Sequence, residues 1–144
     1  TDSQEFQIGK GIVLRDGSDC TIAACGITVK MALDAADLLK QEGISCRVID
    51  CFSVKPIDKE LLEKAARETG SIVTCEEHNV MGGFGSRVAE VVSESYPVPI
   101  KRIGAQDMFG ESARDNEISQ LFEKHGITSI NIAKTVKEAR GQKP

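Results

Sequence analysis

Two neighbouring segments carry residue types that could do chemistry. Glu76-Glu77-His78 sets two carboxylates and an imidazole just after an apolar run, Ser71-Ile72-Val73-Thr74-Cys75. A Glu–His pair can exchange protons with a substrate. The carboxyl end of a strand is where open α/β sheets gather their functional groups. A glycine-rich loop, Gly82-Gly83-Phe84-Gly85-Ser86, follows and opens a helical pattern. Free N–H groups and the helix dipole at such a start can hold an anion or a phosphate.

Each segment also has a plainer reading. The acidic pair and His78 fit a hydrogen-bonded loop or an interface cluster. No serine stands in a GxSxG elbow and no cysteine lies beside His78, so a nucleophile is missing. The glycine loop is not a GxGxxG fingerprint, and no acidic residue stands on a following strand to read a ribose. Glycines also serve where a backbone must pack closely against a neighbouring domain or subunit. The candidates for ligand binding or interdomain contact are therefore Glu76, His78, Gly82, Gly83, Gly85 and Ser86. No catalytic residue and no metal-ligand set is assigned. His125 precedes Gly126 at a helix end, where the dipole favours a cation. Arg102 and Arg114 are single arginines, and Asp107 and Glu111 are isolated loop acids.

The elements that would position these residues alternate between strand and helix. Residues 11–15 and 20–25 are short apolar runs around Asp16-Gly17-Ser18-Asp19, an Asp-Gly turn signal that predicts a hairpin. Residues 27–42 form a helix with Val29, Ala32, Ala36 and Leu39 on one face and Lys30, Asp34, Asp37 and Gln41 on the other. Gly43 stands where a C-cap glycine belongs. Residues 44–52 make the next strand. Pro56 breaks the chain, and Asp58 is placed to cap a helix carrying Leu61, Leu62, Ala65 and Ala66 inward. A helix with Val88, Val91 and Val92 inward follows the glycine loop, and Pro97 and Pro99 stop it. Residues 100–103 are a final strand. Two closing helices carry Ile118, Leu121 and Phe122, then Ile132, Ala133 and Val136, with Thr128 placed to cap the second. Continuously apolar strands between helices imply a mostly parallel sheet covered on both faces.

Composition sets the outer bounds. The 144 residues suit one domain, residues 1–144, with loose ends at 1–5 and 141–144. Eighteen basic against 22 acidic residues leave a net charge of −4, so no nucleic-acid or anionic-membrane partner is expected. No apolar run reaches the roughly 18 residues of a membrane helix. The first residues show no signal-peptide pattern and no initiator Met, which fits a processed chain or an excised domain. Cys20, Cys25, Cys46, Cys51 and Cys75 are odd in number and lack metal spacing. They read as buried thiols in a reducing cytoplasm.

Several ordered blocks resemble the C-terminal domain of transketolases, from about Phe6 to Arg140. They are the strand ending in Cys25-Gly26, the Lys55-Pro56-Ile57-Asp58 turn, Glu76-Glu77-His78 with its glycine loop, and Phe109-Gly110-Glu111-Ser112. The loop and the turn are also similar to 1-deoxyxylulose-5-phosphate synthase and, more distantly, to the beta subunits of 2-oxo-acid dehydrogenases. Arg114 stands where larger transketolases often have Pro. The resemblance implies a three-layer α/β/α sandwich around a five-stranded mixed sheet whose first strand is antiparallel. It implies a parent that moves a two-carbon ketol unit between sugar phosphates, as in the pentose phosphate pathway.

In such enzymes thiamine diphosphate and Mg²⁺ lie between two other domains. Their Gly-Asp-Gly motif with a downstream Asn is absent here, so this domain is expected to bind no cofactor and to be inactive alone. The implied partners are the N-terminal thiamine-binding domains or subunit, within a homodimer of the parent. The other function class is a regulatory module that binds a nucleotide or phosphate at the glycine loop.

Overall fold

The computed structural model describes residues 10–51, 57–76, 83–104 and 127–142. Five strands and four helices are seen among them: β1 (Ile12–Arg15), β2 (Cys20–Ala24), α1 (Thr28–Lys40), β3 (Cys46–Asp50), α2 (Lys59–Thr69), β4 (Ile72–Cys75), α3 (Phe84–Ser95), β5 (Ile100–Ile103) and α4 (Ser129–Gly141). The Lys55-Pro56 half of one resemblance block, the Phe109–Ser112 block and the helix expected around Ile118, Leu121 and Phe122 lie outside the described residues.

The strands form one sheet in the order β1-β3-β2-β4-β5. β2, β3, β4 and β5 run parallel, and β1 lies antiparallel on the edge against β3. The mixed sheet and its antiparallel first strand are as expected. The hairpin is not. β1 does not pair with β2, because β3 is inserted between them.

The Asp16-Gly17 turn instead carries the chain over the start of β3. A Cβ on Gly17 would lie 2.3 Å from the Cys46 carbonyl carbon and 2.6 Å from the Arg47 nitrogen. Glycine is what allows the crossing. Asp19 then pins it, since its N–H donates to the Ser45 carbonyl (2.8 Å) and its carboxylate accepts the Ser45 N–H (2.7 Å). Arg47 braces the turn from below, reaching Asp16 (2.9 Å) and Glu68 (2.6 Å) with a guanidinium that is itself largely buried.

Helices cover both faces, which gives the three layers. Ala32, Ala36 and Leu39 of α1 and Ile132, Ala133 and Val136 of α4 pack with Ile22, Val48 and Val73 on one side. Leu62, Ala65 and Ala66 of α2 and Val88, Val91 and Val92 of α3 pack with Ala23, Ile49 and Ile72 on the other. Every residue of β2 and β4 is buried, so burial is continuous along them rather than alternating. Each fully buried Leu or Ile contributes about 1.5–3 kcal/mol relative to exposure.

The caps follow the sequence. Thr128 accepts the Asn131 N–H at 3.1 Å. Asp58 accepts the Leu61 N–H at 3.2 Å with one oxygen and the Gly11 N–H at 3.0 Å with the other. One side chain thus starts α2 and fastens the entry to β1. All five cysteines are buried, and none is in a disulfide.

Candidate functional site

β2 and β4 are neighbours whose following helices, α1 and α3, leave toward opposite faces of the sheet. A crevice outside the carboxyl ends of two such strands is where open α/β sheets place ligands or contacts. Thr28 closes its floor, with a buried hydroxyl 2.7 Å from the Cys25 carbonyl and 3.0 Å from that of Cys75. Ile27, the N-cap residue of α1, is 52% exposed beside it, and its own side chain makes no capping hydrogen bond.

Glu76 follows β4 directly and is 1% exposed. Its carboxylate accepts the Phe84 N–H at 2.6 Å and the Gly85 N–H at 3.3 Å. These are first-turn donors of α3, which have no partner within the helix. Gly83 occupies the N-cap position and has no side chain to accept them. Glu76 therefore supplies from the strand the oxygens that a Ser or Asp cap would supply locally. The positive end of the helix dipole favours its charge.

Beside this cap, Arg102 of β5 donates from Nη1 to the Ser86 hydroxyl at 2.7 Å. Arg102 stands opposite Thr74 in the β4–β5 register. Gly85 rests on both: an added Cβ would lie 2.7 Å from Thr74 Oγ1 and 3.2 Å from Arg102 Cδ. Phe84, at the head of the helix, is 2% exposed and anchors it in the core.

Of the candidate residues, Glu76, Gly83, Gly85 and Ser86 come together at the start of α3. His78 and Gly82 lie outside the described residues, as does Glu77. Among the described residues, no three His, Cys, Asp or Glu side chains form a group that could hold a metal ion.

Sequence reasoning passed over Thr28 and Thr74 and read Arg102 only as a single arginine, a phosphate contact or a surface or interface pair. The signal for Arg102 was a charge on a strand in register with a residue two before Glu76. Nothing local marks either threonine.

The chemistry this arrangement supports is structural. The first two N–H donors of α3 are already held by a buried carboxylate, so an outside anion would have to displace it. Thiols nearby are equally quiet. Burial pushes the Cys51 and Cys75 thiols far above their ordinary value, with Cys25 adding to the effect.

Comparison with known proteins gives the same frame. The family model for the transketolase C-terminal domain matches residues 9–132. A 1-deoxy-D-xylulose-5-phosphate synthase of Heliobacterium modesticaldum is 47% identical over 132 residues, which are 91% of this chain and 20% of that protein. A 6-deoxy-6-sulfo-D-fructose transketolase subunit of Clostridium sp. (strain MSTE9) is 41% identical over 143 residues, 99% of this chain and 44% of that subunit. A solved split-gene transketolase, described as an inactive beta4 tetramer, superposes with a TM-score of 0.91 at 47% identity. The match covers 100% of this chain and 46% of that one. The chain thus spans from a fifth to under half the length of these relatives.

Proposed function

The chain belongs to the transketolase C-terminal domain family, and from that premise we propose that it is the non-catalytic C-terminal part of a ketol-transferring enzyme. Its parent moves a two-carbon ketol unit between sugar phosphates with thiamine diphosphate and Mg²⁺. This chain contributes architecture and assembly.

The observation that carries the reading is the Glu76 carboxylate seated on the Phe84 and Gly85 N–H groups. It closes the helix start that a phosphate or diphosphate would otherwise use, and so favours a packed contact over a ligand loop. The residues of this chain do not fit thiamine diphosphate: the Gly-Asp-Gly motif is missing and the start of α3 is filled by Glu76. We place the cofactor between domains contributed by the rest of the enzyme, and the exposed Ile27 with the start of α3 on the surface facing them. The parent works as a homodimer in a reducing cytoplasm, a compartment that five buried thiols outside any disulfide suit.

A second reading has its own support. The 47% identity to a 1-deoxy-D-xylulose-5-phosphate synthase fits a parent that makes that product instead.

A complementation assay tests both. This chain, the N-terminal remainder of its enzyme, and their mixture are assayed with thiamine diphosphate and Mg²⁺ for ketol transfer and for deoxyxylulose phosphate formation. Ketol transfer in the mixture alone supports the first reading, and synthase activity in the mixture alone supports the second. Activity in this chain by itself overturns both.

A further inference from the structure

A cleft of about 360 Å³ opens at the other end of the sheet, between the end of β1, the last turn of α1 and the start of β3. Arg15, Asp16, Lys40 and Ser45 line its polar side, and Ala36 and Ile44 its apolar side. Gly43 forms part of the rim, where even an added Cβ would meet nothing within 4 Å.

The charges here are unevenly committed. Each nearby carboxylate already has a partner. Asp16 accepts the Gly17 N–H at 2.8 Å and pairs with Arg47, Asp37 pairs with Arg15 at 2.5 Å, and Asp19 accepts the Ser45 N–H. The donors are not used up. Among the described residues the Lys40 ammonium has no carboxylate and the Ser45 hydroxyl no acceptor, while Arg15 gives only Nη1 to Asp37.

We propose that this cleft binds the phosphate group of a small phosphate ester, held by Lys40, Arg15 and the Ser45 hydroxyl. A planar guanidinium, an ammonium and a hydroxyl on residues that line one cleft suit an oxyanion with several acceptor oxygens. The volume far exceeds a single water's share of about 30 Å³. It leaves room for the ester's organic part against Ala36 and Ile44. The floor adds no opposing charge: burial, with help from Cys20 and Asp19, pushes the Cys46 thiol up to about 12, so it stays neutral. Three of the last α1 carbonyls, those of Asp37, Leu39 and Lys40, already accept from the N–H groups of Gln41, Glu42, Gly43 and Ile44, which lessens their repulsion of an anion. The site is independent of the start of α3 and of the role proposed above.

The test is a titration of the ¹⁵N-labelled chain with glycerol 3-phosphate at constant ionic strength, followed by amide shifts. The Gly43 and Ser45 amides should move to saturation. Lys40→Gln should weaken the apparent affinity about tenfold, as the loss of one charge-assisted hydrogen bond implies. Ser45→Ala should weaken it less. Both side chains are exposed, so both variants should melt as the parent chain does. Absence of saturable shifts overturns the proposal. So does binding that is undiminished when Lys40→Gln and Ser45→Ala are combined.

Discussion

The Glu76 carboxylate and the Phe84 N–H, eight residues apart, are joined by a buried hydrogen bond of 2.6 Å. That bond fixes where α3 begins relative to β4. Glu76→Ala should destabilise the chain by about 2 kcal/mol, the upper range for loss of a helix cap. Glu76→Gln keeps an acceptor oxygen but loses the charge at the helix end, and should lose about 1 kcal/mol. Urea denaturation followed by circular dichroism measures both. Equal midpoints for Glu76→Ala and the parent chain would remove the cap from the account.

Gly85 is required by what lies under it. Gly85→Ala drives a Cβ to 2.7 Å from Thr74 Oγ1 and should cost about 1–3 kcal/mol as overpacking. Thr74→Ala opens the space beneath. The double variant should therefore be more stable than the two single effects added together, with a coupling of at least about 0.5 kcal/mol. Additive effects in the cycle would show that the two residues do not press on each other.

Burial raises the Asp50 carboxyl above its ordinary value of 3.8. Below that value the group is protonated whether folded or not, and it leaves stability unchanged. As pH rises through the folded value, the native state holds an ion that the unfolded chain solvates better, so stability is lost and stays lost at neutral pH. Asp50→Asn should raise the urea midpoint at pH 7, and the gain should close as pH falls toward 3.8. A gain of the same size at both pH values would assign it to packing instead.

The cysteines should be silent while the chain is folded. With Cys46 raised to about 12 and Cys51 and Cys75 raised further, few thiolates exist near pH 8, and burial blocks the approach of reagents. Iodoacetamide at pH 8 should leave these three unmodified in the native chain and label them all in urea. Intact and peptide mass spectra report the result.

Much of the frame was legible because its signals are local. The inward stripes of α1 and α2 and the caps at Asp58 and Thr128 follow from residues within a turn of one another. The hairpin failed for the matching reason. Asp16-Gly17 reports that the chain reverses, but nothing in those two residues says that β3 will be inserted between β1 and β2. The site divides in the same way. Glu76 was singled out as a candidate for ligand binding or interdomain contact, but its role depends on the donors at Phe84 and Gly85, eight and nine residues further along the chain. Arg102 and Thr74 gained meaning only from the β4–β5 register. Glu77, His78 and Gly82 lie outside the described residues.

The place of β1 bears on the order in which the molecule can form. Ile12 pairs with Asp50 and Arg15 with Val48, so β1, the first of the described strands to be synthesised, has no partner until β3 is made. Such sequence-distant pairing requires a loop to close before any contact repays it, which slows folding. Until then Ile12, Val13 and Leu14 are an unpaired apolar edge, the kind that recruits other chains. The strand is short, charged at Arg15 and irregular in register between Val13 and Arg15. Each of these traits blunts an edge, and together they let the first strand wait alone.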